Sequence, residues 1–133
     1  MNRPNSYIYP AIFYYYYDGE IGVTFPDLPG CVSQGRDRHN ALFMADEGLS
    51  LHLYGMEADN DLIPPPTPPG KVVIELDAED TGLVRTEVVL IEVYMPPVRE
   101  RFRAYADAQN ACSARYTARH SKRILNKQEN LPQ

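Results

Sequence analysis

The sequence predicts an α+β domain with elements in the order β-β-β-α-β, one helix packed on the sheet, and a helical, basic C-terminal extension. Three observations carry that prediction. An aromatic run and a strictly alternating run are joined by Asp18-Gly19, the pattern of a β-hairpin. Residues 38–55 place apolar side chains at helical spacing. A further apolar run, Arg85 to Met95, follows a proline-rich stretch. With 133 residues the chain has the length of one domain plus an appendage. That is enough to bury a core without metal or disulfides.

The first strand spans residues 7–17, Tyr-Ile-Tyr-Pro-Ala-Ile-Phe-Tyr-Tyr-Tyr-Tyr, whose aromatic and β-branched content is strongly β-forming. Asp18-Gly19 is the dipeptide favoured in type I′ turns. From Glu20 to Phe25 the pattern alternates, with Ile21, Val23 and Phe25 on one face, which marks a sheet with one buried side. The four tyrosines 14–17 place two on each face, and the outer pair offers exposed aromatic surface.

A rigid elbow follows, Thr24-Phe25-Pro26-Asp27-Leu28-Pro29-Gly30-Cys31. Pro26 and Pro29 fix their own φ, extend the residues before them and exclude a central strand. Gly30 is free to take positive φ, and Asp27 can hold the turn by accepting from nearby backbone N–H groups. Turn chemistry alone accounts for every residue of it. Cys31 to Gly35 then form a short third strand.

Asp37 is placed to cap the helix that follows, with Asn40 as a weak capping-box partner. Leu42, Ala45, Leu49, His52 or Leu53, and Met56 form its apolar stripe, with Asp46 and Glu47 on the outer side. Gly48 costs about 1 kcal/mol relative to alanine in a helix interior, which implies close packing on the sheet. His52 reads as a half-buried, satisfied side chain. Residues 61–70, with five prolines, form a stiff extended connector. Lys71 to Leu76 is expected to form a short edge strand, and Asp77 to Gly82 an acidic turn. In the strand Arg85–Met95, the run Val88-Val89-Leu90-Ile91 is continuous enough to be buried on both faces. Beyond Pro97, Val98, Phe102, Tyr105 and Ala106 form a helical stripe, Asn110 to Ser113 a break, and Tyr116 to Leu125 a second short helix. The expected boundaries are a domain of residues 1–95 and an extension of residues 96–133.

Charge divides the chain at the same place. Residues 1–95 hold five basic and fifteen acidic residues, a net of −10, whereas residues 96–133 hold eight basic and three acidic, a net of +5. An acidic body with a basic tail points to two kinds of partner, one basic and one a nucleic acid, although a short basic segment is also compatible with a plain solvated helix. Cys31 and Cys112 are far apart and lack metal or redox spacing, so both read as free thiols in a reducing compartment. No leader is read at the N-terminus and no apolar run has the length of a membrane span, so the expectation is a cytoplasmic protein. Phosphate-binding glycine loops, zinc motifs and nucleophile elbows are all absent. His39, His52 and His120 are scattered, and Asp77, Glu79 and Asp80 read as a solvated loop rather than a cation site. Nothing in the residues argues for an enzyme, a cofactor or a metal.

The order Tyr9-Pro10-Ala11-Ile12-Phe13, then Phe25-Pro26-Asp27-Leu28-Pro29-Gly30-Cys31, resembles the N-terminal half of HicB antitoxins. So does Ala41 to Met56, above all Gly48-Leu49-Ser50-Leu51-His52-Leu53-Tyr54-Gly55-Met56. Ile63-Pro64 and Val89-Leu90-Ile91-Glu92-Val93-Tyr94-Met95-Pro96 fit as well. The resemblance covers residues 7–66 and 87–99. It implies a small sheet-and-helix domain related to a truncated ribonuclease H fold without being a nuclease. It also implies a partner, a HicA-type toxin: a small basic protein that cleaves mRNA and whose active-site histidine the antitoxin covers. The candidate toxin-binding residues are Tyr14, Tyr16, Asp27, Leu28, Asp46 and Glu47, with Pro26, Pro29 and Gly30 as the structural motif. The acidic body is what fast encounter with a basic partner requires.

The resemblance further implies self-association, as a homodimer or higher homo-oligomer, and a C-terminal module that binds operator DNA. For that role the candidates are Arg99, Arg103, Arg115, Arg119, Lys122 and Arg123. Here the sequence departs from the family pattern, because helical sequence follows Met95-Pro96 almost at once. One parse fuses the last strand with a DNA-binding ribbon, which would put Glu92 toward phosphates, a poor place for an acid. The other, preferred here, has the module missing or degenerate. A DNA-binding regulator whose body only dimerises or senses a partner is the competing function.

Overall fold

A computed structural model describes residues 3–105, 107 and 108. The chain divides into two units, Met1–Val98 and Arg99–Gln133. In the first, strands β1 (Ser6–Tyr16), β2 (Ile21–Thr24) and β3 (Val32–Gly35) precede helix α1 (Arg38–Ala58), a 3₁₀ turn (Pro69–Lys71) and strand β4 (Leu83–Tyr94). The strands form one sheet in the order β3-β2-β1-β4, antiparallel throughout. β1 pairs with β4 along its full length, from Ser6 opposite Tyr94 to Tyr16 opposite Leu83.

The pleat of β1 fixes the two faces. Tyr7, Tyr9, Ala11, Phe13 and Tyr15 point toward α1, joined by Ile21, Val23, Ile91 and Val93 of the neighbouring strands. From α1, Ala41, Ala45, Leu49 and Leu53 meet them, one residue per turn. Burial of side chains such as Phe13, Leu49 and Leu53 is worth about 1.5–3 kcal/mol each. Met95, just past β4, closes the core, and its N–H donates to Asn5 O.

Gly48 has the close approach expected of it, since a Cβ there would lie 2.5 Å from Ser33 Oγ. Gly35 is tighter still, with Ala41 Cα and N both 2.5 Å from its would-be Cβ. Asp37 caps α1 by accepting from Asn40 N at 2.7 Å. Asn40 reaches back to Arg36 N rather than to the cap residue.

Four expectations need correction. The β1–β2 turn is not type I′, because Gly19 has φ +94° while Asp18 has negative φ. Tyr16 O accepts from Gly19 N, and Tyr16 N donates to Glu20 O, the signature of a longer hairpin loop closed by a left-handed glycine. Residues 72–76 form no strand; with Val72 and Ile74 half-buried they run as extended coil. β4 is not buried on both faces, since Leu90 is 53% exposed and Glu92 and Tyr94 are exposed beside it. As the sheet edge, β4 has a helix on one side only. Finally, Asp27 does not hold its own turn, as described below.

Residues 95–98 end the first unit in helical conformation. In the second unit, residues 99–105, 107 and 108 are helical, with the Arg101 guanidinium over the Phe102 ring. The expected break at Asn110 to Ser113, the helix Tyr116 to Leu125, and Cys112 and His120 lie outside the described residues.

Candidate interaction surface

The elbow is two consecutive proline-led turns. Leu28 N donates to Phe25 O, and Cys31 N to Leu28 O, each at 3.0 Å. Pro26 and Pro29 occupy the second position of each turn, and Gly30 takes φ +90° in the third position of the second. Phe25, Leu28 and Cys31 are all buried, so the elbow plugs one end of the core. Asp27 spends both carboxylate oxygens on Thr67, accepting from its N at 2.9 Å and its Oγ1 at 2.5 Å. Tyr9 Oη donates to Pro64 O nearby. The prolines of the connector are therefore tied to the elbow across some forty residues of sequence.

The candidate toxin-binding residues do not form one patch. Leu28 is 1% exposed and belongs to the core, and Asp27 is a clamp on the connector. Asp46 and Glu47 are half-buried on α1. Tyr14 and Tyr16 lie on the opposite layer, on the sheet face turned away from the helix. Arg99 is half-buried and Arg103 exposed, in the second unit. Arg115, Arg119, Lys122 and Arg123 lie outside the described residues.

On its outer face the sheet is partly roofed by the chain beyond the connector. A groove of about 340 Å³ runs between β2–β3 and that segment, lined by Tyr14, Tyr16, Thr24, Val32, Leu76 and Asp80, among others. Tyr16 Oη donates to Asp80 Oδ2 at 2.8 Å. That bond, with burial and the charge beside it, raises the Tyr16 pKa above its ordinary value and keeps the phenol a neutral donor. The acidic turn therefore stands as a wall of the groove, beyond what a solvated loop would do. Sequence reasoning found the tyrosines but missed Val32, Glu75, Leu76, Asp77 and Asp80. Its signals were the apolar residues of 72–76 and the acidic run behind them.

The helix-side rim is polar and paired. Glu87 accepts from Tyr15 Oη at 2.6 Å and from Arg38 Nη1 at 2.8 Å, and Arg85 stacks on the Tyr15 ring. At the other end, the buried Glu57 accepts from Tyr7 Oη and pairs with Arg3 at 3.5 Å. Among the described residues no group of three or more His, Cys, Asp or Glu side chains converges to hold a metal ion. No helix among them is long and apolar enough to cross a membrane.

The sequence model of one family, described as HicB_like antitoxin of bacterial toxin-antitoxin system, matches residues 9–104. A protein of Haemophilus phage HP1, "Uncharacterized 14.9 kDa protein in rep-hol intergenic region", is 36% identical over 61 residues. That match covers 46% of this chain and 45% of the relative, so the chain spans less than half the length of the relative it matches. A chain of a toxin-antitoxin complex from Streptococcus pneumoniae superposes with a TM-score of 0.55 at 22% identity, over 66% of this chain and 69% of that one. The antitoxin HicB of Burkholderia pseudomallei gives 0.52 at 20% identity, over 86% and 96%. Both likenesses are of fold. The match over 9–104 takes in the hairpin, the elbow, α1 and β4, the elements that carry the resemblance in the sequence, and this chain belongs to the HicB-like antitoxin family.

Proposed function

We propose that this chain is an antitoxin that binds a HicA-type, mRNA-cleaving toxin and neutralises it by covering its active site. The family match over residues 9–104 is the observation that carries the reading. The charge balance of the body, −10 over residues 1–95, supports it independently, because a basic partner would be steered to such a surface. In this reading the protein acts in the cytoplasm, as a homodimer or larger homo-oligomer, and catalyses nothing itself. Co-expression with a HicA-type toxin tests it: the two are expected to co-purify, and the antitoxin to restore growth and block mRNA cleavage. A chain that neither co-purifies nor rescues growth would sink the proposal.

A second activity is favoured by one specific observation, the eight basic residues against three acidic ones in residues 96–133. We infer that this extension gives the antitoxin salt-dependent affinity for nucleic acid through phosphate contacts, with Arg99 and Arg103 at its start. Binding to upstream and to random DNA across a salt series measures it. A steep salt slope shared by both sequences is the expected result. A strong preference for upstream DNA would instead establish operator reading, and with it autoregulation.

A further inference from the structure

We infer that the outer face of the sheet, rather than the helix, is the surface that meets the partner, and that its groove receives an arginine or lysine side chain of a basic protein. The assignment takes the partner's existence from the antitoxin reading and the location from geometry alone.

Three features of this face carry it. First, beside the roofed centre where Pro10 and Ile12 are buried, it carries exposed apolar patches: Val32 is 65% exposed on β3 and Val84 64% on β4, with Leu76 65% exposed on the roofing segment. Patches of this kind on a small domain mark interaction sites. Second, its strands present no positive charge outward. The outward residues of the four strands include Ser6, Ile8, Pro10, Ile12, Tyr14, Tyr16, Gly22, Thr24, Val32 and Gln34, then Val84, Thr86, Val88, Leu90, Glu92 and Tyr94. None is lysine or arginine. Of the five cations in residues 1–95, Arg3, Arg38 and Arg85 are engaged by Glu57, Glu87 and the Tyr15 ring on the helix side, and Arg36 and Lys71 lie outside the four strands. Third, the groove is walled by Glu75, Asp77 and Asp80, and among the described residues no basic side chain forms a salt bridge with any of them.

A guanidinium or ammonium entering there would meet phenol rings on one side and carboxylates on the other. Cation–π attraction and ion pairing then act on the same group. The Tyr16–Asp80 hydrogen bond holds the acidic wall against the sheet beforehand, so less ordering is left for the moment of binding. The helix side has a larger cavity, about 630 Å³ at the end of α1, but Arg3 lines it and already pairs with its Glu57; Asp46 and Glu47 are half-buried elsewhere on the helix.

The test uses the full chain and a HicA-type toxin, with affinity measured by calorimetry at two or more salt concentrations. The parent chain must bind first, because a parent that fails to bind removes the antitoxin reading and this inference with it. Glu75→Gln with Asp77→Asn and Asp80→Asn is expected to weaken binding about tenfold and to flatten its salt dependence. Glu20→Gln with Asp59→Asn and Asp61→Asn removes the same charge from exposed positions elsewhere and is expected to change affinity about twofold or less. Val32→Arg, at an exposed strand position, is expected to weaken binding at least as much as the groove triple, without altering the fold. If the loss follows Asp46→Asn with Glu47→Gln while the groove variants bind normally, the helix carries the interface and the assignment is overturned. It is equally overturned if the groove variants lose self-association and keep toxin affinity, for then the occupant is a second copy of the chain.

Discussion

Glu87 accepts hydrogen bonds from Tyr15 and Arg38 at the point where the first residue of α1 meets β4. A cation in the first turn of a helix opposes the macrodipole, so Arg38 gains from a carboxylate placed beside it. The Tyr15 hydrogen bond first, then the Arg38 charge and hydrogen bond, hold the Glu87 pKa below the ordinary glutamate value against the opposing effect of burial. A carboxyl with a depressed folded pKa stabilises the fold fully above its unfolded pKa, and that contribution is lost as pH falls through the folded value. Glu87→Gln is therefore expected to lower the urea midpoint at pH 7 and to leave it close to that of the parent near pH 3. A gap of equal size at both pH values would show that the charge is not what matters. Cys31 makes the opposite case. Burial pushes its thiol up to about 11, and its Sγ donates to Gly48 O at 3.8 Å from within the core cluster. In a Cys112→Ser chain, labelling by a disulfide reagent is expected to run about a hundredfold slower in the native state than in urea. Labelling at the rate of a free thiol would contradict the burial. Neither residue could be read this way from sequence, because Tyr15 and Glu87 stand 72 positions apart and nothing local marks them as partners.

At the scale of elements, legibility followed the range of the signal. The hairpin, the capped helix and the last strand are encoded by local periodicity, and all three were readable. The elbow was readable as turn chemistry, yet its anchor is Thr67, a tertiary contact that no dipeptide rule supplies. The second apolar face of β4 misled because Leu90 looks like a core residue until its edge position leaves that face open. Gly48 was informative: the unfavourable residue inside α1 forecast a close approach, and Ser33 Oγ is what it approaches. That identification is testable. Gly48→Ala alone is expected to destabilise by about 1–3 kcal/mol through overpacking against the hydroxyl. In a Ser33→Ala chain the next atoms, Ser33 Cβ and Val32 O, stand at 3.8 Å, an ordinary contact. There the same substitution is expected to be neutral or to stabilise by up to about 1 kcal/mol, the helix preference for alanine over glycine. A double-mutant cycle by urea unfolding reads the difference. If Gly48→Ala costs the same in both backgrounds, the hydroxyl is not the reason for the glycine. Gly35 permits no such rescue, since its would-be neighbours are backbone atoms of Ala41.

For the whole molecule, counting charges along the sequence located the acidic residues in 1–95 without separating the two layers that the sheet creates. Composition found the acidic body, but Tyr14 and Tyr16 on one layer and Asp46 and Glu47 on the other looked equivalent while only their order was known. The sheet separates them, and the segment after the connector, read as an edge strand followed by a solvated acidic turn, supplies a wall of the groove. The division at Val98 has a consequence of its own. All four strands, α1 and every residue of the core cluster, with Val98 packed at its margin, fall within Met1–Val98. A fragment of residues 1–98 therefore retains the whole buried apolar surface that the described core contributes. It is expected to unfold cooperatively, with a Tm within about 5 °C of the full chain, a shift of roughly 1 kcal/mol for a domain of this size. It should also keep the toxin affinity of the full chain, since the groove lies wholly inside it, while losing most affinity for nucleic acid along with the +5 extension. Calorimetric melting and parallel titrations with toxin and DNA separate these outcomes. A fragment that folds but binds toxin tenfold more weakly would move part of the interface into residues 99–133. A fragment that does not fold would show that the core needs the extension to hold together.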